Sequence, residues 1–186
     1  MADDTDALEL IAADHRKVED LFSRFERSSD PQERTEIVHE VVHELVVHGE
    51  VEELVFYPRL RQAVPDGSDL ADEALHEHVE MKETLNDLDG MTADDDAFDE
   101  RMRELMDEVR HHVEEEESDI FPKVRQAISE DDLRDMGDRM QRAKAMVPTR
   151  PHPNAPTGPV GKLAAGAPVA IVDRVRDALR NAADEN

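Results

Sequence analysis

An internal repeat constrains the fold of this chain more than any other feature of its sequence. Residues 44–63 align without gaps on residues 108–127 at an offset of 64, and nine of the twenty positions are identical. A weaker match at an offset of 63 relates the segment around His15 to the segment around His78. Apolar residues in both copies recur every three or four positions, as on one face of a helix. The repeat therefore predicts two helical hairpins arranged as a pseudo-twofold bundle.

Turn residues divide the chain into long helices, and almost no segment alternates with the period of two that is typical of strands. The sequence predicts an all-α protein, an up-down-up-down four-helix bundle with one additional helix. The first helix is expected over about residues 6–28. The second opens with Asp30 as N-cap, Pro31 at the first position and Glu33 closing a capping box. Later helices are expected from Ser68 to about 89, from 94–96 to about 129, and from Ser129 to about 146.

The bundle and its appended helix are predicted to occupy residues 5–147, followed by a separate C-terminal part over residues 148–186. The prolines of PTRPHPNAPTGPVG (148–161) cannot continue a helix, so this stretch is expected to be an extended linker. The segment Val169–Ala182 has apolar residues on one face and is predicted to be a short amphipathic helix that docks back on the bundle.

One polar level interrupts the apolar seam of each predicted bundle helix, where a seam is the face defined by steps of three and four residues. Burial of unpaired ionisable groups is costly, and a pair of divalent cations is the simplest partner that offsets this cost. Residues four apart share a helix face, so His48 with Glu52 and His112 with Glu116 can each present a nitrogen and an oxygen. The predicted metal ligands are His15, His48, Glu52, His78, His112 and Glu116.

A purely structural interpretation competes with the metal site, because a lone histidine on an apolar seam is more often a hydrogen-bonded core residue. The joint occurrence on four seams, with a glutamate repeated at the same offset, favours the metal. The Glu-x-x-His pattern of ferritin-like di-iron bundles also occurs four times, but no match lies on a seam or repeats at the offset of 64. The histidines expected to face solvent are His39, His43, His76, His111 and His152.

Two pairs of residues beside the predicted ligands have structural interpretations. Pro58 and Pro122 are expected to kink the helices or end them early, beyond the site. Asp14 and Glu77, which each precede a seam histidine, are expected to be solvent groups. The alternative for Asp14 and Glu77 is that each carboxylate orients an imidazole.

Composition narrows the chemistry and the partners. The chain has no cysteine, so a metal would bind histidine nitrogen and carboxylate oxygen, a donor set that favours iron, manganese or zinc. The formal net charge of −25 argues against a nucleic-acid partner. An acidic surface with more arginine than lysine predicts a halophilic source. The lack of a membrane-spanning run and of a basic signal-peptide start predicts a cytoplasmic protein.

The segments HGEVEELVFYP (48–58) and HVEEEESDIFP (112–122), together with His15 and His78, resemble the hemerythrin-like family of HHE cation-binding domains over about residues 5–128. The resemblance implies two iron ions in a non-haem di-iron centre, with carboxylate bridges and an oxo or hydroxo bridge, inside a four-helix bundle. Carried over residue by residue, it implies His15 and His48 on one iron, His78 and His112 on the other, and Glu52 and Glu116 as bridges.

The chain departs from the oxygen-carrying hemerythrins at one position. Those proteins have a fifth histidine four residues before the third-helix ligand, where this chain has Ala74. Water, hydroxide or another carboxylate is expected to complete the coordination, and such an open site can react with dioxygen, nitric oxide or peroxide. We therefore predict a di-iron protein that binds, senses or reacts with small oxidants. The alternatives are iron sequestration without turnover and a metal-free acidic helical adaptor.

Overall fold

The computed structural model describes residues 5–151, which form helices and connecting turns and contain no strand. The elements are α1 (Ala7–Arg27), α2 (Pro31–Val51), π1 (Glu52–Phe56), α3 (Tyr57–Ala63), α4 (Gly67–Leu88), α5 (Phe98–Glu115), π2 (Glu116–Ile120), α6 (Phe121–Ala127) and α7 (Glu130–Lys144). The π-helical turns π1 and π2 join pairs of helices into continuous rods. The bundle therefore has four long rods, α1, α2–π1–α3, α4 and α5–π2–α6, with α7 added, and the predicted four-helix bundle with an additional helix is confirmed.

The starts of the first two helices follow local side-chain signals. Asp6 caps α1 and forms a reciprocal capping box with Glu9. Asp30 caps α2 by accepting a hydrogen bond from the backbone N–H of Glu33, as predicted. The Glu33 carboxylate instead accepts from the Ser28 hydroxyl, so the capping box predicted for α2 is only half formed.

Two predicted helix starts are wrong by a few residues. Helix α4 begins at Gly67, one residue before the predicted cap Ser68. The end of α3 packs so closely against this start that a Cβ at Gly67 would collide with the carbonyl oxygen of Leu60. Helix α5 begins at Phe98 rather than among residues 94–96. The Asp95 carboxylate accepts from the backbone N–H of Thr92 and stabilises a turn there instead.

Of the two outcomes predicted for Pro58 and Pro122, a kink or an early end, the early end does not occur, because the chain continues through both prolines as helix. Each proline occupies the second position of a helix that follows a π turn. In π1 the N–H of Tyr57 donates to the carbonyl of Glu52, five residues earlier, and the same contact recurs in π2. The wider turn changes the hydrogen-bond register just before a residue that has no N–H to donate.

A polar layer divides the buried apolar core into two clusters. One cluster packs the first turns of α1 and α4 against π1, α3, α6 and α7. The other packs the later turns of α1 and α4 against the first turns of α2 and α5. In every rod the boundary between the clusters falls at a buried histidine, namely His15, His48, His78 and His112.

Helix α7 makes the bundle asymmetric, because it packs against α1, α2 and π1. None of the helices within residues 5–151 combines the length and apolar character that a membrane span requires. The predicted helix Val169–Ala182 and its docking lie outside the described residues, and the predicted division between 147 and 148 stays a prediction.

Candidate metal centre

The six predicted ligands converge in the polar layer between the two apolar clusters. Their exposed fractions are 7% or less, and the two glutamates have no exposed surface at all. Each rod contributes through its own seam position, so residues distant in sequence are brought to one depth in the bundle. The six are His15 from α1, His48 from α2, Glu52 from π1, His78 from α4, His112 from α5 and Glu116 from π2.

Five of these residues form two groups that share one carboxylate. His15, His48 and Glu52 present ligand atoms that all lie within 4.8 Å of one another, and Glu52, His78 and His112 form a second such group. One Glu52 oxygen lies 3.2 Å from His48 Nε2, and the other lies 3.4 Å from His78 Nε2. A carboxylate in this position can bridge two cations.

The sixth residue, Glu116, occupies the position in the second repeat copy that Glu52 occupies in the first. Its Oε2 lies 3.3 Å from His15 Nε2. Both glutamates are the first residue of a π turn. A π turn adds a residue to one helical turn and changes the direction of the side chains around it, and such turns are frequent at functional sites.

Several buried ligand atoms have no hydrogen-bond partner, namely His15 Nε2, Glu52 Oε1 and both carboxylate oxygens of Glu116. Buried polar atoms are nearly always paired, and a buried carboxylate without a partner is costly. Two divalent cations between these atoms would satisfy them. The set of imidazole nitrogens and carboxylate oxygens suits iron, manganese or zinc. The residues present therefore fit the pair of cations.

The outward-facing nitrogen of every ligand histidine contacts a carboxylate. This arrangement fixes the ring and turns Nε2 towards the centre of the layer, as carboxylates behind metal-binding histidines do. The Nδ1 distances are 2.8 Å from His15 to Glu117, 3.5 Å from His48 to Asp14, 3.1 Å from His78 to Glu53 and 2.7 Å from His112 to Glu77.

The prediction that Asp14 and Glu77 are solvent groups is wrong, because both face an imidazole on the neighbouring rod. Their weaker interpretation as groups that orient a ring matches these contacts. Sequence reasoning missed Glu53 and Glu117 altogether, although the two are identical at the 64-residue offset. That identity is the signal that could have found them.

Tyr57 breaks the pseudo-twofold symmetry of the layer. Its hydroxyl lies 3.2 Å from His78 Nε2 and 3.5 Å from Glu52 Oε2. Burial raises the pKa of Tyr57, as does the charge of Glu52, so the phenol keeps its proton. The corresponding residue in the second copy, Phe121, stacks on His15 with a ring-centroid distance of 6.3 Å. One half of the centre therefore has a hydroxyl group that the other half lacks.

Burial lowers the pKa of two histidines in the layer, His48 and His78. It lowers the pKa of His48 to about 4, helped by the neighbouring His15. Burial would lower the pKa of His15 as well, but the carboxylates of Glu116 and Glu117 outweigh it and raise this pKa. Neutral imidazoles at His48 and His78 are in the form that binds a metal.

Burial and the charge of Glu116 both raise the pKa of Glu52. Two carboxylates that repel each other in a buried layer are stabilised by positive charge placed between them. The raised pKa of Glu52 and the ligand atoms without hydrogen bonds therefore both indicate that positive charge belongs in the layer.

The other histidines lie away from the buried groups. The side chains of His76 and His111 are 78% and 65% exposed, which confirms their predicted solvent position, whereas His39 and His43 are half-buried. His152 lies outside the described residues. His111 nevertheless joins Glu77 and Glu115 in a third group of possible ligands near the surface.

Several cavities of the described part of the protein border the layer, and one of ≈ 30 Å³ is lined by all four ligand histidines. Two larger openings lie on different sides of the layer. A groove of ≈ 520 Å³ between α1 and α5, here called the α1–α5 groove, reaches His15. A smaller cavity of ≈ 180 Å³ between α4, α5 and π2 reaches His112 and Glu116.

A family model and one curated relative name the same family. The model of the hemerythrin HHE cation-binding domain matches residues 6–124. A hemerythrin-like protein of Schizosaccharomyces pombe is 32% identical over 170 residues, which are 91% of this chain and 84% of that protein. A Nostoc protein named a DNA nickase is 32% identical over 147 residues, which are 79% of this chain and 41% of that protein.

The fold has a counterpart among solved structures. The crystal structure of a hemerythrin HHE cation-binding domain-containing protein from Mycobacterium kansasii superposes with a TM-score of 0.64 at 21% identity, covering 75% of this chain and 87% of that one. This likeness shows the fold alone, while the family model and the yeast relative cover most of the described chain. With its buried histidines and glutamates in place, the chain belongs to the family of hemerythrin HHE cation-binding domains.

Proposed function

We propose that this protein is a non-haem di-iron protein that binds, senses or reacts with small oxidants such as dioxygen, nitric oxide or peroxide. His15 and His48 would hold one iron and His78 and His112 the other, with the carboxylates of Glu52 and Glu116 as further ligands. The proposal rests chiefly on the two buried His–His–carboxylate groups that share Glu52.

The choice of iron draws on the donor set and on the family. Imidazole and carboxylate ligands without thiolate suit iron, manganese and zinc alike. The chain belongs to a family of cation-binding domains, and the resemblance of its motifs to hemerythrin-like proteins implies that the cation is iron. Bound ferrous iron would supply electrons and vacant positions at which small oxidants bind directly.

The protein's own residues prepare the site for that chemistry. The four outer carboxylates hold the imidazole rings with Nε2 inward and increase their basicity as ligands. Ala74, where oxygen carriers have a further histidine, leaves the half of the layer around His78 and His112 less crowded. The Tyr57 hydroxyl provides a proton donor beside the same two rings, within 3.2 Å of His78 Nε2.

A route for small molecules supports reactivity with oxidants. The α1–α5 groove reaches His15 and is lined partly by apolar side chains, including Val18, Phe22 and Val113. Uncharged diatomic molecules partition readily onto apolar surface, so this groove suits dioxygen and nitric oxide better than it suits ions.

Iron quantification and spectroscopy test the proposal. Freshly purified protein from iron-replete cells is expected to contain about two irons per chain, with the absorption of an oxidised di-iron centre. His48→Ala is expected to lose both signals, and His76→Ala, which changes an exposed histidine, is expected to keep them. An iron content near zero in the wild type would contradict the centre.

Turnover separates the proposal from iron storage. The iron-loaded protein is expected to decompose peroxide or consume dioxygen in the steady state, while apo-protein under the same conditions does neither. If iron is bound at full stoichiometry and no oxidant binds or is consumed, the protein sequesters iron and the oxidant proposal is wrong.

A further inference from the structure

The smaller of the two openings is strongly acidic, and we call it the acidic cavity. It occupies ≈ 180 Å³ between α4, α5 and π2 and reaches His112. The described side chains that line it include no Lys or Arg. Lys123 lies outside the lining and contacts one of its carboxylates, Asp119, at 2.7 Å, and also Asp66 at 2.9 Å. The carboxylates in its lining are Glu73, Glu77, Glu115, Glu116 and Asp119.

Glu116, one of the predicted ligands, lies at the inner end of the acidic cavity. Glu116 has no exposed surface, lines the cavity, and has no hydrogen-bond partner for either oxygen. His112 lines the cavity beside it. A cation that passed through this space would arrive at a carboxylate and an imidazole of the proposed centre.

The outer end carries a second group of possible ligands. Atoms of Glu77, His111 and Glu115 lie within 4.8 Å of one another, with His111 Nε2 3.6 Å from Glu77 Oε1 and 3.4 Å from Glu115 Oε1. The other oxygen of Glu77 lies 2.7 Å from His112 Nδ1. One carboxylate therefore connects the surface group to a histidine of the buried centre.

The pseudo-twofold repeat shows that this acidity is specific to one half of the molecule. The positions that correspond to Glu73 and Glu115 are Leu10 and Val51, which are buried in the same apolar cluster as Leu133 of α7. In that half Lys144 of α7 also binds Asp14, the counterpart of Glu77, at 2.6 Å. Helix α7 thus closes one side of the centre, and no described element covers the acidic side.

Ala74 keeps the inner part of the acidic cavity open. It lines the cavity and is 3% exposed, so a larger side chain at this position would occupy the space beside His112 and Glu116. Its counterpart in the closed half is Ile11, which is fully buried. The small residue lets the cavity extend inward to the ligand atoms.

The α1–α5 groove differs in charge from the acidic cavity. Arg16 and Arg110 line it together with its glutamates, and Arg110 binds Glu19 at 2.8 Å. A groove with both signs of charge does not concentrate cations as a cavity lined by carboxylates does.

We infer that the acidic cavity is the route by which divalent cations reach the buried centre, with Glu77, His111 and Glu115 as a transient outer site. The inference rests on the proposed function, because it assumes that the buried layer holds metal. Carboxylates in a cleft raise the local concentration of cations and the rate of their association. An ion held by the outer group would be separated from His112 by the carboxylate of Glu77, which contacts both His111 and His112.

Stopped-flow uptake of Co²⁺ by the metal-free full chain tests this route. Binding is followed by the visible absorption of Co²⁺ at nitrogen and oxygen ligands, and the final stoichiometry is measured in the same samples. The double variant Glu73→Gln/Glu115→Gln is expected to slow uptake at least about threefold at low ionic strength without changing the stoichiometry. The difference should shrink as salt screens the carboxylates.

Matched controls isolate the acidic cavity from overall charge. Glu114→Gln is the control for the single variant Glu115→Gln, because each removes one charge and the two positions are adjacent, but Glu114 lies on the α1–α5 groove. Glu115→Gln is expected to slow uptake, and Glu114→Gln is expected to leave the rate unchanged. His111→Ala is expected to slow uptake, and His76→Ala, which also removes an exposed histidine paired with a glutamate four residues on, is not.

Rate and stoichiometry answer different questions. Equal rates for wild type and the Glu73→Gln/Glu115→Gln variant, at normal stoichiometry, would overturn the route and leave the centre intact. Slower uptake in Glu114→Gln than in this double variant would assign the route to the α1–α5 groove instead. A wild type that binds no Co²⁺ at equilibrium would overturn the proposed centre and the route with it.

Discussion

The buried ionisable side chains of the layer stabilise the folded protein only if positive charge offsets their desolvation. Glu52 and Glu116 have no exposed surface, and each has at least one oxygen without a hydrogen bond. The outer carboxylates neutralise the Nδ1 side of each ring, but they do not reach the atoms that point inward. The inward atoms therefore make metal content and stability depend on each other.

Replacing a ligand histidine should lower metal content and stability together. His48→Ala or His112→Ala is expected to reduce bound iron and to lower the free energy of unfolding of the iron-loaded protein by about 3 kcal/mol or more. His76→Ala is expected to change neither quantity, because its ring is exposed. Chemical denaturation with parallel iron analysis provides the measurement, and equal losses from His76→Ala would contradict the assignment of the ligands.

The contribution of His48 to the stability of the metal-free protein should fall in mildly acidic solution. A histidine whose pKa is lowered from 6.5 to about 4 on folding contributes stability above pH 6.5, and this contribution disappears as the pH falls towards 4. For His48 the loss between pH 7 and pH 5 amounts to about 2 kcal/mol. Urea denaturation of apo-protein at both pH values should show a smaller loss in His48→Asn than in the wild type. An identical pH dependence in the two proteins would show that His48 is not held neutral.

At the scale of elements, the π turns explain how two sequence-distant copies build one site. In an uninterrupted helix Glu53 would lie about 100° around the axis from Glu52. The π turn begins at Glu52, and both carboxylates of this pair contact His78, one at Nε2 and one at Nδ1. The second copy repeats the arrangement with Glu116 and Glu117 around His15. Neighbouring residues on one rod thereby contact both nitrogens of a single ring on another.

The close approach of α7 to the start of α1 depends on Gly137. A Cβ at this position would lie 2.6 Å from the carbonyl oxygen of Thr5 and 3.1 Å from the nitrogen of Ala7. Gly137→Ala is therefore expected to lower the free energy of unfolding by about 1 to 3 kcal/mol despite the higher helix propensity of alanine.

Gly90 provides the matched control for Gly137, because a Cβ there would meet nothing within 4 Å. Gly90→Ala is expected to stay within about 0.5 kcal/mol of the wild type in the same thermal and chemical denaturation experiments. A Gly137→Ala protein as stable as the wild type would mean that α7 can move away from α1 without cost.

At the scale of the whole molecule, the two halves of the buried polar layer are similar, but the elements that cover them differ. The contacts of Nδ1 with a carboxylate at His15 and His48 recur at His78 and His112, whereas α7 covers only the side built from α1, α2 and π1. The repeat in the sequence accounts for the two similar groups of possible ligands. The added helix and the Tyr57–Phe121 difference make the two groups inequivalent in access and in available hydroxyl groups.

The large negative charge predicts a salt requirement for the whole chain. At a net charge of −25 the compact state is destabilised by repulsion among its carboxylates, and salt screens this repulsion. The melting temperature is expected to rise by several degrees between 0.1 and 2 M KCl. Chloride is the suitable anion for this measurement, since sulfate also strengthens apolar burial. A melting temperature that stays constant or falls with KCl would contradict the predicted halophilic source.

Periodicity, capping residues and the repeat were enough to predict the rods, the N-cap Asp30, and a common polar depth for the six predicted ligands. These features are local, because a residue's face on a helix and the signals at a helix end depend on its near neighbours in sequence. The tertiary structure alone decided the pairing of His48 with Asp14 and of His112 with Glu77, the hydroxyl of Tyr57 beside His78, and the side that α7 covers. Each of those depends on which atoms meet across separate rods, and on backbone hydrogen bonds that shift by one residue in a π turn, which helical spacing does not specify.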